Sequence, residues 1–78
     1  RGMSLAEIPA PASFFGRSLG SLDIRKHFGV SLLLIRRQSD DGEQIVDELP
    51  DADSIFQEGD VMLVLGNEDR ISRFEKSG

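Results

Sequence analysis

The sequence predicts an α+β domain built on a small antiparallel sheet (β-α-β-β-β-α order) with helices at the ends. Apolar runs of strand length at 5–8, 30–35 and 61–65 are bounded by prolines or glycines. Two segments, one ending at Gly29 and one opening at Asn67, carry helix start and stop residues. The last three strands follow one another without an intervening helix, which points to an antiparallel sheet and not to alternating βαβ units.

Residues 5–8 alternate apolar and polar before Pro9 and Pro11, so they read as a short edge strand. Residues 13–16 form a loop. Ser18 or Ser21 caps a helix running to about Phe28, with Leu19, Leu22 and Phe28 inward and Arg25 and Lys26 in its last turn. Gly29 supplies the left-handed residue that ends it. The strand at 30–35 is apolar except for Ser31, with Val30, Leu32 and Leu34 on one face and Leu33 and Ile35 on the other. Residues 39–42 (Ser-Asp-Asp-Gly) form a hairpin turn, and 43–49 form its antiparallel partner, ended by Pro50. Residues 51–57 are a loop or a single helical turn with Ile55 and Phe56 tucked beneath it. Glu58-Gly59-Asp60 turns into the strand at 61–65, ended by Gly66. Asn67 caps a final helix with Ile71 and Phe74 on its inner face.

Seventy-eight residues allow one domain, assigned to 3–78, that buries roughly 60% of its unfolded surface. Arg1-Gly2 before Met3 reads as a cloning remnant or a cut from a longer chain. At 38% hydrophobic and 29% charged the chain is an ordinary globular one. It has no cysteine, which excludes disulfides and thiolate metal sites. No apolar run reaches the roughly 18 residues of a membrane span.

The net charge of −5 is unevenly spread. Residues 17–37 hold Arg17, Arg25, Lys26, Arg36 and Arg37 against the single acid Asp23, while 38–60 hold nine acids and no Lys or Arg. Such an acidic segment excludes nucleic acid as a partner, because phosphates would be repelled. A small anion at the basic segment is compatible with the pattern. Arg36 and Arg37 either clamp a phosphate or answer the acidic hairpin beside them.

Catalytic groups are missing. His27 is the sole histidine and has no cysteine partner, so neither a zinc site nor a Cys–His pair is indicated. The acids at 40–43 and 51–53 lack the spacing of a calcium loop and read as turn chemistry. No Gly-x-Gly-x-x-Gly occurs, so no nucleotide cofactor is expected. The doubly apolar strand at 30–35 leaves one face for a partner, which predicts a homodimer.

The ordered set Gly16, Ser18, Leu19, Leu22, Ile24, Arg25, Phe28, Gly29, Val30, Ile35, Arg37, Gly59, Asp60, Val61, Val64 and Gly66 resembles the TrkA C-terminal (RCK C-terminal) domain family over residues 5–75. The resemblance implies a non-catalytic, homodimerising regulatory domain of a potassium or other cation transport protein, on the cytoplasmic face of the membrane. Its partners would be a membrane transporter or channel subunit or covalently linked parent domains. Some members bind cyclic di-AMP between two copies, with the end of the first helix and the start of the next strand. Transferred to this sequence, that region gives Arg25, Lys26, Phe28, Val30, Ser31 and Leu32 as ligand residues. A competing reading from another class is an ACT-like sensor domain of a metabolic enzyme, binding an amino acid at a dimer interface.

Overall fold

Proline and glycine punctuation divides the chain into elements, seen in a computed structural model that describes residues 2–38, 41–42 and 45–77. Strand β1 (Met3–Pro9) closes at a proline on a sheet edge, where a missing N–H costs no ladder bond. A 3-10 turn at Ala12–Phe14 leads into helix α1 (Leu19–Leu22), helix α2 (Ile24–Phe28), strands β2 (Ser31–Gln38), β3 (Ile45–Glu48) and β4 (Val61–Asn67), and helix α3 (Glu68–Ser77). The four strands form one antiparallel sheet in the order β1-β4-β2-β3. The α+β architecture expected from the sequence is therefore present.

Three expectations are revised. The single helix to Phe28 is two short helices, because Asp23 adopts a left-handed conformation (φ 47°) between them. The alternation expected along 30–35 is broken by a bulge between Leu32 and Leu34. Leu32 packs on the core opposite Val64, and Ile35 is buried opposite Met62. Leu34 pairs with Leu63 on the opposite face of the sheet. The extra residue, Leu33, is exposed, as bulged residues often are. Finally, Phe56 is buried as expected, but Ile55 is 44% exposed, because the backbone bridge from Ile55 to Ser18 turns its side chain outward. The turn at 39–42 is described only at Asp41 and Gly42, where Gly42 has φ 75°. Ser39, Asp40, Glu43 and Gln44 lie outside the described residues, and β3 is described from Ile45.

The core lies on one side of the sheet. Ile8, Val30, Ile35, Met62 and Val64 meet Leu22, Ile24, Ile71 and Phe74 from the helices, with Phe14 and Phe56 completing it. Phe14 touches Phe28, Phe56 and Phe74 at ring separations of 5.5–6.2 Å. Helix α3 enters directly from β4, its first turn capped by the Asn67 side chain, which accepts from the Arg70 amide at 2.8 Å. Gly66 permits this close packing, since a Cβ there would lie 2.9 Å from Val30 Cγ1. Gly66→Ala is expected to cost about 1–3 kcal/mol, because buried Val30 has little room to move, and a thermal melt measures it.

The other face of the sheet carries Met3 and Leu5, both exposed, beside Leu34, Leu63 and Leu65. Its far end is charged: Arg36 on β2 donates to Glu7 on β1 at 2.8 Å and to Asp47 on β3 at 3.0 Å. Arg37 forms a deeper network. It donates to both Asp60 oxygens at 2.8 and 2.7 Å, to Glu48 at 3.2 Å, and to the Ile55 carbonyl at 3.1 Å. The hydrogen bonds to Asp60 raise the Arg37 guanidinium above its ordinary value against the opposing effect of burial. Of the two readings open for this arginine pair, the structure bears out ion pairing with the acidic segment.

Candidate functional site

The left-handed break at Asp23 shapes the region where the ligand residues were expected. Ser18 caps α1, its Oγ accepting from the Ser21 amide at 3.2 Å. The first amides of α1 donate to the adjoining loop, Leu19 to the Ser54 carbonyl at 2.8 Å and Gly20 to the Ala52 carbonyl at 2.9 Å. Gly20 is required for this approach, since a Cβ would stand 3.1 Å from the Ala52 oxygen. Past the break, His27 Nδ1 lies 3.0 Å from the Leu22 carbonyl, which helix interruption would otherwise leave unpaired. A carbonyl only accepts, so Nδ1 carries the proton in this contact. Gly29, at φ 72°, ends α2 and donates to the Arg25 carbonyl at 2.9 Å.

Two clefts open beside this kink. The first, about 340 Å³, lies between α1, the start of α2 and the start of β2. Leu19, Ile24 and Leu32 give it an aliphatic wall, Gly20 and Ala52 a narrow floor, and Ser31, Arg25 and Asp23 its polar groups. The second, about 520 Å³, lies between the end of α2 and α3, over the Phe28–Phe74 ring pair at 4.8 Å. Arg25, Lys26 and His27 line it from α2, and Arg70 and Arg73 line it from α3.

The six residues expected to share one site are thus divided. Arg25, Ser31 and Leu32 meet in the first cleft, while Lys26 and Phe28 line the second together with Arg25. Val30 is 1% exposed and lies in the core, supporting the start of β2 from beneath. Sequence reasoning missed Leu19, Gly20, Asp23 and Ala52 as lining residues, because the loop at 51–54 reaches α1 only through tertiary contacts. It also missed Arg70 and Arg73, whose three-residue spacing does place them on one helix face.

The fold thus offers two clefts beside the α1–α2 kink as candidate binding surfaces, the arrangement of a small ligand-binding module. The chain matches the TrkA-C domain family over residues 3–77 and belongs to that family. It is 36% identical over 73 residues to the Ktr system potassium uptake protein C of Bacillus subtilis (strain 168), covering 94% of this chain and 31% of that protein. The chain therefore spans about a third of that relative. Among solved structures it resembles the RCK C domain of the potassium transport protein KtrA in complex with cyclic diadenosine monophosphate. The TM-score is 0.81 at 28% identity, over 97% of this chain and 84% of that one. The GsuK RCK domain shares the fold at TM-score 0.77 and 23% identity, over 96% of this chain and 16% of that one. The family match replaces the ACT-like alternative. No helix among the described residues is long and apolar enough to cross a membrane.

Proposed function

We propose that this chain is the cytoplasmic regulatory domain of a potassium transport system, and that it works as a homodimer binding cyclic di-AMP across its two-fold axis. The observation that carries the reading is the first cleft, which joins Arg25, Ser31 and Leu32 in one concavity on a fold similar to that of a cyclic di-AMP-bound domain. At about 340 Å³ it is at the small end of ligand pockets, so it suits one half of a symmetric dinucleotide, with a second copy receiving the other half. Leu19 and Leu32 offer apolar surface to an adenine face. Arg25 supplies positive charge for a phosphate, and the Ser31 hydroxyl donates or accepts at a base or ribose edge. A ligand held by two copies at once strengthens their association by mass action, and the tightened dimer is the signal passed to the transport protein.

Light scattering after gel filtration is expected to give about twice the 8.6 kDa of one chain. Titration calorimetry with cyclic di-AMP is expected to give one ligand per two chains. Arg25→Ala should weaken binding at least tenfold, since each charge-assisted contact contributes about 1.5–3 kcal/mol and the two-fold axis doubles the loss. Absence of heat with the dinucleotide, or one ligand per single chain, overturns the proposal.

A further inference from the structure

The second cleft collects charge that the rest of the chain would have neutralised. The protein carries fourteen acids against nine Lys and Arg, and Arg36 and Arg37 together pair with four of those acids. Yet Arg25, Lys26 and Arg70 have no carboxylate partner among the described residues, and no carboxylate among these residues lines the cleft. Helix electrostatics account for only part of the arrangement. Arg25, Lys26 and His27 occupy the last turn of α2, where a helix favours cations. Arg70 is the third residue of α3, where the helix end repels a cation, and Arg73 stands one turn further along the same face. Arg70 thus faces the cationic end of α2 from the end of α3 that gains nothing from a cation, and Arg73 lines the same cleft.

The Arg70 arm lies across the end of α2. Gly29 lacks a side chain where the Arg70 arm crosses it: a Cβ there would meet Arg70 Cδ at 2.9 Å and Nε at 3.2 Å. Glycine at this position therefore leaves room for the Arg70 arm to reach over the end of α2 toward Lys26. Below it, Phe28 and Phe74 exclude water from one side.

We propose that the cleft between α2 and α3 is a second anion site, adjoining the dinucleotide cleft and sharing Arg25 with it, that takes an oligophosphate group of a small molecule. A chain of linked phosphates presents several negative charges over the span that the α2 and α3 cations line. A single monoanion would leave most of Arg25, Lys26 and Arg70 uncompensated.

The test is titration of the protein with inorganic tripolyphosphate at low salt, beside cyclic di-AMP as an independent readout. Tripolyphosphate is expected to bind with a Kd of about 0.1 mM or tighter, as three or more charge-assisted contacts would give. The Arg70→Gln/Arg73→Gln double variant should lose about tenfold or more, with cyclic di-AMP binding unchanged because neither residue lines the first cleft. Lys26→Gln, on the opposite wall, should lose affinity as well and guards against a local fault in α3. The Arg70→Gln single variant should melt no lower than the parent protein, since it removes a cation from the first turn of α3. Vesicles of phosphatidylglycerol separate the two sources of phosphate. Sedimentation with vesicles and no tripolyphosphate heat would overturn the small-molecule site in favour of a membrane surface. Equal tripolyphosphate affinity in parent and variants would overturn the site altogether. Failure of cyclic di-AMP to bind, with tripolyphosphate binding intact, would strike only the reading of the first cleft.

Discussion

Asp60→Ala is expected to remove a large share of the protein's stability. The Asp60 side chain is 1% exposed and accepts three hydrogen bonds, two from Arg37 and one from the Gln57 amide at 2.9 Å. Removing it orphans the amide and leaves a partly buried guanidinium with only Glu48 and a carbonyl for company. Breaking a buried pair from one side costs about 3–5 kcal/mol. A chain of this length has about 4–12 kcal/mol in all. Asp60→Asn keeps the shape and an acceptor for Gln57 but loses the charge, so an intermediate loss is expected. Thermal unfolding followed by circular dichroism should show a drop of more than about 10 °C for the alanine variant. A change under about 1 kcal/mol would mean that the network is not coupled to folding.

Neighbouring residues on β2 should behave in opposite ways. Ile35→Asp places a carboxylate at a position 2% exposed, against Met62, where Arg37 two residues along is already engaged by Asp60 and Glu48, and is expected to prevent folding. Leu34→Asp falls on the outer face of the sheet beside Leu63, where the carboxylate reaches water. It should lower stability by about 1–2 kcal/mol, roughly the worth of a half-buried leucine. Without the bulge at Leu33 the parities would be exchanged and Leu34 would be the lethal site. Paired denaturant melts decide: a folded Ile35→Asp beside an unfolded Leu34→Asp would contradict the observed register.

That bulge marks where sequence legibility ends. The elements around it could be read because their boundaries are local. Pro9 stops β1, Gly29 ends α2 with the left-handed turn it alone adopts freely, and Asn67 caps α3. Inside Leu32-Leu33-Leu34-Ile35, every residue suits either face, so no polar residue fixes the pleat, and the pairing with β4 chooses the register. Asp23 hides a helix break for a related reason. Aspartate tolerates the left-handed region, but nothing in its neighbours signals that it must enter it. At the clefts, Arg25, Ser31 and Leu32 were legible together because one turn separates α2 from β2. Arg70 joins Lys26 only after β4 has carried α3 back beside α2, a juxtaposition that forty residues of intervening chain conceal from any local pattern.

The strand order β1-β4-β2-β3 also has a consequence for how the protein is made. The strand that binds both halves of the sheet, β4, is the last of the four to be synthesised, and β1 has no other partner. Leu5 must wait for Leu65, its pairing partner on β4. On the ribosome the hairpin of β2 and β3 can form early, while β1 remains an unpaired apolar ribbon until β4 emerges. Closing that long loop is the slow, non-local step that sets the folding rate. Synthesis stalled before β4 would then leave a chaperone substrate, with Met3, Leu5 and Ile8 unpaired along β1.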